Sequence, residues 1–339
     1  MNNISTFSIP KDVVSQAGNS MGIKANQLAS FFGLGESTES KSLEEGWENI
    51  LPTLLQPRNF SGIIALFQDD SLLFTNILTG EKDTIFCGEE DGNLKVIPMS
   101  QTEISEFLAA YLGEVGEPSK IKQELSADAL IVMLSIADSI RRAKLDNMLN
   151  PSKKSFEITE ESLKMDFEKA VKSSDLRWLA PFLAELRWES KTVDFSKALN
   201  ELSKLSIIRF KNNIADIAEM GEVFFEELLK RRTIIGIRSV FYQNGVLNYL
   251  AMAFMRTENY LWFLGVTDKA CIMSLKYDEL KGMIAAMISP GEAPPEKTEL
   301  AEITDKANEK IITPKFCKNC GAKLSNDAKF CKSCGKKIG

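Results

Sequence analysis

The chain has 339 residues, 44% of them hydrophobic, with six cysteines, no histidine and a formal net charge of −6. Length and apolar content suffice for a large core and suggest two or three domains. The lack of histidine excludes His-based triads, Cys–His dyads and His-ligated catalytic metals, and the acidic balance does not describe a general nucleic-acid binder.

The first residues, Met1 to Phe7, carry no basic region followed by an apolar run, and no window approaches 18 uninterrupted apolar residues. The expectation is therefore a cytoplasmic protein that does not insert into a membrane. Apolar runs at 63–68, 71–79, 84–88 and 94–98, separated by Asp69-Asp70 and by Glu89-Glu90-Asp91-Gly92, read as an antiparallel meander. The acidic turn at 89–92 lacks the alternating ligands of a calcium loop. A helix precedes the meander near Ile50–Leu55, and another follows from Thr102.

Ser126 to Leu149 shows a broad apolar helical face through Leu130, Met133, Leu134, Ala137 and Ile140. Helices near 160–172, 175–187 and 195–204 and a short hairpin around Lys211-Asn212-Asn213 follow, an order that also describes a winged helix. Its recognition helix would be Asp194 to Leu205. Across 156–232, however, 13 basic residues face 15 acidic ones, which disfavours nucleic acid because phosphate contacts dominate such affinity. Arg141-Arg142 and Lys230-Arg231-Arg232 read as helix ends complementing the helix dipole.

From residue 217 the first pattern returns. Gly62 to Leu73 lies over Gly236 to Leu247 at an offset of 174, Ile50, Leu51, Leu54 and Leu55 fall on Phe224, Phe225, Leu228 and Leu229, and Thr102 to Ala110 matches Asp278 to Ala286 at 176. A two-residue insertion in a connecting hairpin accounts for the change. Asn244-Gly245 predicts a type I′ turn. The expected fold class is thus α+β, an internally duplicated helix, antiparallel meander and helix unit with a central helical segment and a small C-terminal zinc ribbon. Expected boundaries are 1–125 for the first repeat with N-terminal helices, 126–216 for the central segment, 217–289 for the second repeat, 290–314 for a linker and 315–339 for the ribbon.

The second repeat holds two runs apolar on both strand faces, Leu250 to Met255 and Tyr260 to Leu264. Either both sheet faces are covered or one accepts a partner. An exposed part of Met252–Met255 or Tyr260–Leu264 would then bind an amphipathic helix from another protein, with aromatics as anchors. Cys87 and Cys271 read as buried, unreactive thiols.

The stretch 290–314 has four prolines, six acidic residues and three lysines, the composition of a linker. Beyond it come Phe316-Cys317-Lys318-Asn319-Cys320-Gly321 and Phe330-Cys331-Lys332-Ser333-Cys334-Gly335, with ten residues between Cys320 and Cys331. Two Cys-x-x-Cys turns at this separation make a four-thiolate site for one structural zinc, with Cys317, Cys320, Cys331 and Cys334 as ligands. The glycine after each pair can take the positive φ that turns backbone N–H groups toward the thiolates. Seven lysines against Asp327 give this tail +6, leaving −12 on the body.

The tail resembles the bacterial short zinc-ribbon family, which implies a structural zinc and no particular function. In Leu202 to Gly265, the order of helix, hairpin, helix and meander resembles the EspG-type chaperones of type VII secretion systems. That resemblance implies a duplicated α+β body that shields the apolar tip of a helical client. No phosphate loop, dinucleotide fingerprint or nucleophile elbow appears. The expected function is a non-catalytic protein-binding adaptor or chaperone. A winged-helix and zinc-ribbon regulator associated with nucleic acid is the alternative.

Overall fold

The computed structural model describes residues 7–34, 46–90, 93–149, 157–173, 175–186, 192–265, 269–289 and 291. Two compact units divide the chain, Met1–Glu292 and Ala293–Gly339. The expected linker beyond Gly291 and the whole expected ribbon, with Cys317, Cys320, Cys331 and Cys334, lie outside the described residues.

The first unit opens with β1 (Phe7–Pro10), α1 (Lys11–Ser20), α2 (Gln27–Phe31) and α3 (Leu51–Leu55). A meander follows, β2 (Asn59–Leu66), β3 (Leu72–Thr79), β4 (Thr84–Glu90) and β5 (Asn93–Pro98), closed by α4 (Gln101–Leu112). Ser100 and Glu103 form a capping box that starts α4, the side chain of each accepting the other's backbone N–H. Then come β6 (Lys122–Ser126), α5 (Ala127–Leu149), α6 (Glu160–Ser173), α7 (Leu179–Leu186) and α8 (Phe195–Lys204). The hairpin of β7 (Ile208–Lys211) and β8 (Ile214–Ile217) leads to α9 (Glu219–Leu229). The second meander is β9 (Thr233–Gln243), β10 (Val246–Arg256), β11 (Leu261–Gly265) and β12 (Lys269–Leu275), closed by α10 (Tyr277–Met287). Asn244 and Gly245, at φ 52° and 70°, make the expected two-residue turn between β9 and β10.

One ten-stranded sheet takes both meanders, in the order β1-β5-β4-β3-β2-β9-β10-β11-β12-β6, with every neighbouring pair antiparallel. The meanders meet at β2 and β9, where Ile63 pairs with Ile237, its counterpart at 174. Gly62 therefore faces Arg238, and Ile64 faces Gly236. Asn76 sits opposite Gly62 and Ala253 opposite Gly236, which moves the correspondence to 177 in β3 and β10. Cys87 and Leu264 keep 177, while Val96 and Ile272, their partners in β5 and β12, set it at 176. The first hairpin is thus three residues longer in the second meander and the last is one shorter. The single two-residue insertion expected from the sequence is corrected accordingly.

Burial follows the same correspondence. Ile104 and Leu108 of α4, with Leu112, match Leu280, Ile284 and Ile288, and all six belong to one core between these helices and the sheet. Because neighbouring residues of a strand point to opposite faces, the other face carries Phe60, Leu78, Cys87 and Val96 under α1–α3. Farther along that face, Ile234, Ala253, Leu264 and Ile272 lie under the helices of the central segment. Within that segment α5 is buried all round from Ala129 to Ser139 and packs against α6, α7, α8 and α9. A bridge from Thr159 to Ile214 adds a third, minimal strand to the β7–β8 hairpin.

Candidate functional site

The two apolar runs of the second meander do not form a docking face. Phe254 and Phe263 turn toward α4 and α10, with ring centroids 5.9 Å apart, and both are buried. Met255, Trp262 and Leu264 turn the other way, into the core of the central segment. Tyr260 is half-buried, edge-on to Trp262 at 5.6 Å, and Met252 is half-buried against the α4/α10 core. The indole N–H of Trp262 donates to Thr257 at 3.2 Å, and the Thr257 hydroxyl donates to the buried Glu227 carboxylate at 2.5 Å. Both sheet faces are covered here, so the sequence-based expectation of exposed anchors in Met252–Met255 and Tyr260–Leu264 is overturned.

Among the described residues, a gap lies instead on the face shared by α1–α3 and the central segment, between the two covers. A groove of about 450 Å³ opens there over the central strands. Its floor is Gly62, Ile64, Asn76 and Arg238, and Phe74, 58% exposed, stands beside it. Leu176 and Glu185, from just before and near the end of α7, make one wall, and Glu89 of β4 lines the groove as well.

Two corresponding glycines explain why one side is filled and the other open. Neither has the positive φ that demands glycine, so space is the reason they matter. A Cβ on Gly236 would lie 2.6 Å from Leu186 Cδ2 and 3.0 Å from Phe182 Cε1, because α7 seats these buried side chains directly on the bare backbone. A Cβ on Gly62 would meet only Arg238 Nε at 3.2 Å and Cγ at 3.5 Å, with Asn76 at 3.7 Å. The same notch in the sheet holds a helix on one side of the Ile63–Ile237 pair and none of the described helices on the other.

What fixes α7 is Asp138, a buried carboxylate in the middle of α5. Its two oxygens accept the backbone N–H groups of Leu179 (3.0 Å) and Ala180 (2.9 Å), donors that the first turn of a helix leaves without partners. Burial raises its pKa from 3.8 to about 6, opposed by those two hydrogen bonds and by Arg231 and Arg141. Arg141-Arg142 is not at the expected helix end, since α5 continues to Leu149, and Arg142 pairs with Asp166 at 2.6 Å and lies over Trp178 at 5.0 Å, whereas Lys230 does cap the C-terminal end of α9. Arg231 follows α9 but is buried toward Asp138.

The expected recognition helix is α8, which buries Phe195, Ala198, Leu199 and Leu202. Its Glu201 accepts both the backbone N–H and the hydroxyl of Ser126, tying the helix to the sheet. Among the described residues no group of His, Cys, Asp and Glu could hold a metal ion, and no helix is long and apolar enough to cross a membrane.

The sequence signal for the groove was present as the repeated glycine at 62 and 236, which marks register and notch alike. Phe74 and Asp138 had no local signal, since a phenylalanine in a strand and an aspartate in an apolar helix declare their surroundings only once the neighbouring elements are placed.

A family model of the zinc-ribbon domain matches residues 316–338, the segment with the two Cys-x-x-Cys pairs. No curated protein sequence matches the chain. Among solved structures, the chain is similar to the Mycobacterium tuberculosis type VII secretion system chaperone EspG5, described in complex with a PE25-PPE41 dimer. That match has a TM-score of 0.40 and 7% identity, and covers 86% of this chain and 99% of that one.

Proposed function

We propose that this protein is a non-catalytic, protein-binding adaptor or chaperone of the cytoplasm, with a body made by duplication of one helix, meander and helix unit. The groove over Gly62 is its binding site, and an amphipathic helix of a partner protein is the occupant. One observation carries this reading: the corresponding notch at Gly236 is filled by α7, which presents Leu186 and Phe182 to it. A partner helix would likewise set an apolar anchor over Gly62 and against Phe74.

A photo-crosslinking residue placed at Phe74, with a second at Tyr111 on the opposite sheet face as control, tests this in the native host. The Phe74 adduct should contain a segment with apolar anchors at helical spacing. That segment, made as a synthetic peptide, should bind the wild-type protein and lose at least tenfold in affinity to Phe74→Asp. Equal crosslinking at both positions, or peptide binding untouched by Phe74→Asp, removes the groove as the site.

The ribbon is proposed to hold one structural zinc per chain through Cys317, Cys320, Cys331 and Cys334. Four thiolates suit Zn²⁺, and such sites bind with apparent free energies of about 10–16 kcal/mol that double as folding energy. Elemental analysis should find one zinc per chain in the wild type and none in Cys320→Ser, while the thermal transition of the body stays within about 1 °C. A zinc-free wild type purified without chelator would refute the site.

A further inference from the structure

The C-terminal half of α5, the start of α7 and the end of α9 enclose a second, polar cavity of about 60 Å³, lined by Ala137, Asp138, Arg141, Leu179, Leu228 and Arg231 among others. Arg231 has only 7% of its side chain exposed, and its Nη1 donates to the carbonyl oxygen of Arg177 at 3.1 Å. Arg141 reaches the same carbonyl at 3.5 Å, and its guanidinium lies over the Trp178 ring at 5.6 Å. Two guanidiniums thus converge on one carbonyl, and the carboxylates that face them are Asp138 and, for Arg231, Asp70. Asp138 has an oxygen committed to each of two backbone N–H groups, and Asp70 stands 3.9 Å from Arg231 on the exposed side. Burial, and next the repulsion of Arg141, bring the Arg231 pKa down to about 10, the cost of gathering two cations at one place.

We propose that this cavity binds a small oxyanion of the phosphate class between Arg141 and Arg231. A guanidinium offers paired N–H donors that match a phosphate edge, and two of them converging give charge and geometry together. The volume holds several waters at roughly 10–15 Å³ each, enough for an ion of five heavy atoms and too small for a nucleoside. Leu176 of the groove wall is the residue before Arg177, whose carbonyl both arginines touch, so a bound anion also steadies that wall.

Isothermal titration calorimetry of the full chain with inorganic phosphate, at constant ionic strength set by chloride, should give a saturable signal with one site. Arg141 is half-buried, so Arg141→Gln should fold, as far-UV circular dichroism checks, and bind at least tenfold more weakly. Arg141→Lys, which keeps the charge and loses the fork, serves if the glutamine variant does not fold, with a loss of the same order expected. O-Phosphoserine as a second probe separates a free ion from a phosphomonoester: uptake of phosphate alone supports the former, uptake of both the latter. No saturable heat from either probe, or undiminished affinity in a folded Arg141 variant, overturns the proposal.

Discussion

Replacing Asp138 by alanine is expected to cost about 3–5 kcal/mol of stability, measured by denaturant titration. The change leaves the backbone N–H groups of Leu179 and Ala180 buried without acceptors, each worth about 1–3 kcal/mol. It also removes a counter-charge from Arg231 and Arg141, and breaking a buried charge arrangement from one side is the costly way to break it. Asp138→Asn should lose less, because its carbonyl oxygen still accepts one of the two donors. The pH dependence has a definite sign. Burial raises the folded pKa to about 6 from 3.8, so the folded chain binds this proton more tightly than the unfolded chain does. The contribution of Asp138 is then fully favourable below about pH 4 and declines as pH rises through 6. Arg231 and Arg141 face it, and Arg231, at about 10, stays charged throughout that range. The difference between wild type and Asp138→Asn should accordingly change with pH between 4 and 6 and level off above; a constant difference would mean that Asp138 titrates like an exposed carboxylate.

The sheet was legible in the sequence because strand alternation and turn residues act locally. The runs at 63–68 and 84–88 and the Asn244-Gly245 turn fix where the chain reverses, and the spacing of Ile104 and Leu108 against Leu280 and Ile284 fixes which helices serve the same purpose. Hairpin lengths were not legible, since an offset read at the two ends, 174 and 176, gives only the sum of a lengthening by three and a shortening by one. Nor was the fate of the apolar runs. Trp262 and Phe263 look alike in a pattern of hydrophobicity, and only the placement of α4 and α10 on one face and the central segment on the other buries both. Arg141 and Arg231 are 90 residues apart, and nothing near either one announces that they share a carbonyl. The zinc ribbon is the opposite case: its chemistry is complete within 18 residues, Cys317 to Cys334, and both the spacing and the family match speak to it.

The two corresponding glycines should respond in opposite ways to the same substitution. Gly236→Val places branched carbon where Leu186 and Phe182 already lie within 3.0 Å of a bare Cβ, all in a core with no measurable exposure. Overpacking of this kind costs about 1–3 kcal/mol and occasionally more. The upper end is expected here, because lifting α7 also strains its hydrogen bonds to Asp138. Combined with Asp138→Ala, the loss should be less than additive, since whichever change comes first has already freed the helix. Gly62→Val has a different outcome. Its Cβ meets the flexible side chain of Arg238 rather than a packed helix, and valine suits a strand, so stability should change by less than about 1 kcal/mol. The new side chain nevertheless stands on the floor of the groove and takes the space meant for a partner's anchor. The crosslink from Phe74 and the affinity for the partner peptide should therefore fall at least tenfold in a protein as stable as the wild type. If Gly62→Val binds the peptide normally, the groove is not the binding site; if it unfolds the protein, the open side is packed as tightly as the closed one.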